Sequence, residues 1–229
     1  MQDLIKQEQF ELEVLDKLNS HKILSRLVFA GGTMLRLCFG LNRFSVDLDF
    51  WIMKGATPSP LNELFRDVKE CFSHSYFLKD ATNKFHTLLF EVKSPQYPRG
   101  LKIEIRKDTK KVKTQQAIAY SPHSHQQVLL NVVSLPDMMK AKIEAFLERR
   151  EIRDVFDIEF LIKKGVGIEA PVASLQKLVQ GIDAFNKKDY TVKLGSHLEE
   201  EYRKYYAQEN FKILKSALRE RLQWLKNST

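Results

Sequence analysis

Apolar residues recur through the first 25 positions at Leu4, Ile5, Phe10, Leu12, Leu15, Leu18 and Leu24, with charges between them. Leucines at 12, 15 and 18 share one side of a 3.6-residue repeat, which predicts an amphipathic helix over 4–25. Leu27–Ala30 is a short apolar run that meets Gly31-Gly32, the pattern of a strand entering a turn. Thr33 is placed to cap a short buried helix of Met34, Leu35, Leu37, Cys38 and Phe39, stopped by Gly40. Asp47–Ile52 opens on polar–apolar alternation and reads as a strand. Pro58-Ser59-Pro60 breaks the chain, and Leu61, Leu64, Phe65, Val68 and Phe72 mark another helix. Two strands follow, Thr87–Val92 and Leu101–Ile105, joined by a turn with Pro95, Pro98 and Gly100; Gln127–Val133 is a further candidate. From Pro136 the periodicity is helical, over 136–150, 153–164, 171–186, 193–207 and 209–226.

Strands therefore gather in the first 135 residues and helices in the last 95 or so. That segregation predicts an α+β lobe over 1–135 and a helical lobe over 136–229, packed closely on it. With 229 residues, 43% hydrophobic and 29% charged, the chain is long enough to bury a core without disulfide or metal staples. Cys38 and Cys71 stand far apart among apolar neighbours and read as buried, reduced thiols. The N-terminal stretch lacks the basic-then-apolar order of a signal peptide, and no segment approaches the ~20 apolar residues of a membrane span, so a cytoplasmic protein is expected.

The net charge of +8 favours a polyanionic partner. Residues 99–113 carry seven basic against two acidic residues, and 187–229 carry ten against six. Either run alone reads as a solvated face; together they suit an RNA backbone.

The chemistry concentrates between Gly31 and Phe50. On a strand, residues i and i+2 share a face, so Asp47 and Asp49 project side by side while Leu48 turns to the core. Paired carboxylates repel unless they share a cation, and Mg²⁺ is commonly held by one or two carboxylates together with substrate phosphates. Gly31 and Gly32 let backbone approach a ligand, and amides at a helix N-terminus bind anions. A triphosphate on Gly31-Gly32-Thr33 would thus face a metal on Asp47 and Asp49, with Arg43 adding a cation. Two-metal phosphoryl transfer asks for a further carboxylate. Glu104, between Ile103 and Ile105, fits; its alternative is an edge-strand glutamate paired with Lys102 or Arg106, and Glu91 competes for the role.

A second constellation spans 140–157. On one continuous helix over 139–158, Lys142, Arg149 and Arg153 would form a stripe with Asp157 at its edge and Asp154 one turn away. Such a stripe could neutralise triphosphate and fix an acceptor. The alternative is a surface ion-pair helix, since residues 137–164 hold seven basic and seven acidic residues. His123 and His125 lie in a polar loop without acidic or cysteine partners, and neither a nucleophile elbow nor a P-loop occurs.

Gly31-Gly32-Thr33 with Leu35-Arg36, followed by Arg43-Phe44-Ser45-x-Asp47-Leu48-Asp49-Phe50, resembles the signature of the AbiEii-type nucleotidyltransferase toxins, within the DNA polymerase β-like superfamily. Lys142-x-x-Ala145, Arg149 and Arg153-Asp154-x-x-Asp157-Ile158 resemble that family's later motifs. The resemblance implies a minimal nucleotidyltransferase fold, a mixed sheet with flanking helices, followed by a helical lobe. It implies Mg²⁺, two ions by expectation, and a nucleoside triphosphate as substrate. Asp47, Asp49 and Glu104 would bind metal. Gly31, Gly32, Thr33 and Ser45 would line the phosphate site and Lys142 would contact phosphates. Asp154 or Asp157 would complete the site, and Arg149 and Arg153 would meet the acceptor. Relatives are toxins of toxin–antitoxin or phage-defence pairs, some acting on the tRNA 3′ end, so tRNA and a cognate antitoxin are the expected partners. This chain departs in carrying glutamate at 104, where aspartate is common. A non-catalytic nucleotide- or RNA-binding module on the same fold is the alternative, and a protein that sequesters a cognate partner is a third.

Overall fold

The computed structural model describes residues 1–53, 61–108 and 111–227. The Pro58-Ser59-Pro60 break and Lys110 of the basic run lie outside them. The chain divides into two compact units, Met1–Ser134 and Leu135–Thr229.

The first unit is built on one seven-stranded sheet. Its strands are β1 (Leu27–Ala30), β2 (Asp47–Ile52), β3 (Phe77–Asn83), β4 (Thr87–Lys93), β5 (Leu101–Arg106), β6 (Thr114–Tyr120) and β7 (Gln127–Val133), in the order β3-β4-β5-β2-β1-β7-β6. β2 pairs antiparallel with β1 and parallel with β5, and β1 pairs parallel with β7, so the sheet is mixed. β3 and β6 were not expected from the sequence. Both are outermost strands, and most of their residues are exposed or half-exposed. A strand with little to bury carries no strong apolar alternation.

Register divides the sheet into two faces. Phe29, Leu48, Phe50, Leu88, Phe90, Ile103, Ile105 and Val132 are fully buried on one of them. Three helices of this unit, α1 (Gln2–Ser20), α2 (Gly31–Phe39) and α3 (Leu61–Ser73), pack on its strands. Phe29 and Phe50 touch at 5.1 Å between ring centres, and Phe72 meets Phe90 edge-on at 5.8 Å. The other face carries Asp47, Asp49, Lys102 and Glu104.

Helix α1 ends at Ser20, short of the expected 25. Lys22 takes a left-handed conformation (φ 57°), and a single 3-10 turn, Leu24–Arg26, leads into β1. Thr33 does not cap α2, contrary to expectation. The helix already starts at Gly31, and the Thr33 hydroxyl donates instead to the Asp47 carbonyl at 2.5 Å. Gly40 does end α2, at φ 77°.

The second unit contains α4 (Leu135–Arg149), α5 (Ile152–Lys163), α6 (Val172–Asp183), α7 (Glu200–Glu209) and α8 (Lys212–Asn227). The helix expected over 193–207 is replaced by a π turn (Asp189–Leu194) and a 3-10 turn (Gly195–His197) ahead of α7. The helices read over 136–150 and 153–164 are α4 and α5, so the condition of one continuous helix over 139–158 does not hold. Arg150 is left-handed (φ 57°) and Glu151 extended, so the chain turns between α4 and α5. Leu175, Leu178, Leu214 and Leu218 belong to this unit's core. A buried Glu159 accepts from Lys163, the Tyr206 hydroxyl and the Leu214 amide, tying α5, α7 and α8 together. No described helix is long and apolar enough to cross a membrane.

Candidate active site

The β1–β2 ladder pairs Ala30, the last residue of β1, with Asp49. Gly31 comes next, turns at φ 80°, and brings the start of α2 against Asp49. A Cβ at Gly31 would collide with Asp49 Oδ2. A Cβ at Gly32 would come within 2.5 Å of the Arg43 guanidinium and 2.9 Å of Ser45 Oγ. Both glycines are therefore demanded by close approach, and Gly31 also by backbone conformation. The first turn of α2, Asp49, Arg43 and Ser45 converge. Arg43 is buried and donates to the Phe44 carbonyl at 3.1 Å. Thr33 is buried beneath, holding the main chain at Asp47.

The parallel β2–β5 ladder sets Lys102 across from Asp47 and Glu104 across from Asp49. All three carboxylates lie on one face of the sheet, with a lysine among them. Lys102 forms an ion pair with Glu104. That hydrogen bond, with the attraction of Glu104, Asp47 and Asp49, holds the ammonium above lysine's ordinary range, while partial burial works against it. Pairing with Lys102 was one sequence alternative for Glu104, but β5 is the third strand of seven, not an edge. Glu91 sits one strand further out on β4 and is bound by Lys79 at 2.7 Å. Among the described residues, no three acidic, histidine or cysteine side chains are gathered to hold one ion.

Behind the loop that carries Arg43 and Ser45 is a clamp that the sequence did not reveal. Arg36 on α2 donates to Glu8 on α1 at 2.6 Å and to the Leu41 carbonyl at 3.1 Å, and lies over the Phe44 ring at 4.2 Å. Ser121 donates to the second oxygen of Glu8 at 2.5 Å. The guanidinium thus meets Leu41 and Phe44 of the loop 41–46 at once, as a planar fork can. The only advance sign was polar residues at Gln7, Glu8 and Glu11 on a helix otherwise burying leucines. Glu8→Gln is expected to lower the stability of this unit by about 1.5–3 kcal/mol, the range for hydrogen bonds to charged groups. A denaturant titration followed by far-ultraviolet dichroism measures it. A neighbouring carboxyl, Glu11, is fully buried; burial, then the charges of Glu8 and Asp47, push it well above the carboxylate range.

In the helical unit the α4–α5 turn folds α5 back, and four charged groups meet. Lys142 Nζ lies 2.6 Å from Asp157 Oδ2 and 3.4 Å from Asp154 Oδ1. Arg149 grips Asp154 with two bonds of 2.7 Å. Both aspartates are fully buried and Lys142 nearly so. The expected stripe on one helix is thus corrected: Lys142 and Arg149 stand on α4, Asp154, Asp157 and Arg153 on α5. Neither is it a surface ion-pair helix. Arg153 is half-buried and takes no part in these pairs. Cys38 is half-buried and Cys71 buried, and both are free thiols. Burial pushes them up to about 12 and about 11.

Comparison with known proteins agrees with this layout. Residues 13–225 match the profile of the family described as nucleotidyl transferase AbiEii toxin, type IV TA system. No curated protein matches. The solved structure of JHP933 from Helicobacter pylori is similar, with a TM-score of 0.54, 18% identity and coverage of 94% of each chain. So is a protein described as a candidate nucleotidyltransferase from H. pylori, with a TM-score of 0.55, 20% identity and coverage of 93% of this chain and 96% of that one. These likenesses concern the fold: an α+β mixed sheet with flanking helices, then a helical C-terminal region. The chain belongs to the AbiEii nucleotidyltransferase toxin family of type IV toxin–antitoxin systems.

Proposed function

We propose that this nucleotidyltransferase moves a nucleoside monophosphate from a nucleoside triphosphate to RNA, such as the tRNA 3′ end, in a magnesium-dependent reaction, and that a cognate antitoxin counters it. One observation carries the reading: Asp49, beside Asp47 on β2, is pressed against a glycine that opens a helix, so a carboxylate and the first turn of that helix meet. The fit to magnesium rests on the same cradle. Two adjacent carboxylates suit an ion that keeps its other positions for water and phosphate oxygens. Bound there, magnesium would supply neutralisation of the triphosphate and Lewis acidity at the reacting phosphorus.

The chain's own groups then have separable roles. Backbone amides at Gly31, Gly32 and Thr33 would receive phosphate oxygens. Arg43 and Ser45, which crowd Gly32, would orient the same oxygens by hydrogen bonds. In the helical unit we assign Lys142 to phosphate charge, oriented by Asp154 and Asp157, and Arg149 and Arg153 to the acceptor. The basic segments 99–113 and 187–229 supply charge for an RNA backbone.

The test is incubation of the full chain with α-labelled nucleoside triphosphates and total RNA, with magnesium or with excess chelator. Label should pass to RNA with magnesium and stay in the nucleotide with chelator. RNA binding without label transfer under any condition would favour the non-catalytic module. Transfer to protein instead of RNA would overturn the acceptor.

A further inference from the structure

Lys102 belongs to no motif of the family signature, yet it stands inside the candidate site. The β2–β5 register sets it opposite Asp47, with Glu104 opposite Asp49. Neighbouring strands are about 4.8 Å apart, so the ammonium can reach every carboxylate in the group. It is paired with Glu104. The other carboxylate that could claim it, Glu91 across the β4–β5 ladder, is already held by Lys79 at 2.7 Å. Lys102 is thus left to the site.

We infer that Lys102 is a built-in cation of this carboxylate group: it neutralises Glu104 and leaves Asp47 and Asp49 to take a single divalent ion. The inference rests on the magnesium-dependent reading above and sharpens it, because a free carboxylate trio would favour two ions. A lysine ammonium is a compact point charge on a flexible stem. It satisfies the same oxygens that a metal would take, and its charge repels a second dication. Glu104 becomes a ligand only when Lys102 gives way. The longer glutamate matters here, since its extra methylene lets the carboxylate turn back along its own strand to residue 102.

Metal binding tests this without any turnover. The full chain, free of nucleotide, is titrated with Mn²⁺ and the free ion followed by electron paramagnetic resonance. Wild type should bind one Mn²⁺, and Asp49→Ala should lose it. Lys102→Met should bind about 10-fold more tightly, the low end of the effect of groups neighbouring a metal ligand, or take up a second ion. Lys102→Arg should behave as wild type. Lys102→Gln replaces the methionine variant if melting shows the latter misfolded. Two ions in wild type, or unchanged affinity and stoichiometry in Lys102→Met, would overturn the role of Lys102 while leaving the metal site intact. No Mn²⁺ bound by wild type or by the Lys102 variants would remove both the metal reading and this one.

Discussion

Asp49→Ala is expected to lower nucleotide transfer at least about 100-fold, the scale on which preorganised electrostatic groups act. The residue is half-exposed on the face of the sheet opposite Leu48 and Phe50, and its side chain fills the space that Gly31 leaves. Removing it costs little core packing. It also relieves the repulsion between neighbouring carboxylates, which offsets part of the interactions Asp49 makes, so the variant should remain folded. Asp47→Ala should act in the same way on transfer. Loss of transfer in a fully folded protein separates chemistry from stability. The measurement is the initial rate of label incorporation beside a thermal melt, and a variant that labels as fast as wild type would remove Asp49 from the catalytic machinery.

Lys142→Met is expected to cost about 3–5 kcal/mol, the range found when one partner of a buried ion pair is removed. Arg149 would still hold Asp154, but Asp157, fully buried, would lose its 2.6 Å contact with Nζ. The penalty comes more from a buried carboxylate that loses one of its partners than from the lost attraction itself. Adding Asp157→Leu to Lys142→Met should therefore recover much of the loss. Chemical denaturation of the three variants and wild type measures both effects. A single variant within about 1 kcal/mol of wild type would show that the pair is solvated and not a buried support. Because the assigned phosphate role of Lys142 depends on the same nitrogen, the double variant should regain stability without regaining transfer.

How far the sequence could be read differed from element to element. β2 was read at its observed limits, because Asp47–Ile52 alternates and its apolar side is fully buried at Leu48 and Phe50. The close of α2 at Gly40 was equally plain, since that residue takes the left-handed conformation glycine permits. β3 and β6 escaped notice because outer strands bury too little to leave a pattern. The break between α4 and α5 was read within a residue or two, from helices over 136–150 and 153–164, although no glycine or proline marks it. The left-handed residue there is an arginine.

The candidate site divides along the same line. Local order determined that Gly31-Gly32 open a helix and that Asp47 and Asp49 share a face, because turn chemistry and the two-residue strand repeat act between near neighbours. Period two also puts Lys102 on the face of Glu104. Only the tertiary structure decided that β5 lies beside β2, in the register that sets Lys102 against Asp47 and Glu104 against Asp49. It alone decided that Arg36 reaches Glu8 and that Lys142 meets Asp157 across a turn. Those pairings join residues distant in the chain, and strand register and helix docking are set by the burial of whole apolar faces, which no short motif encodes.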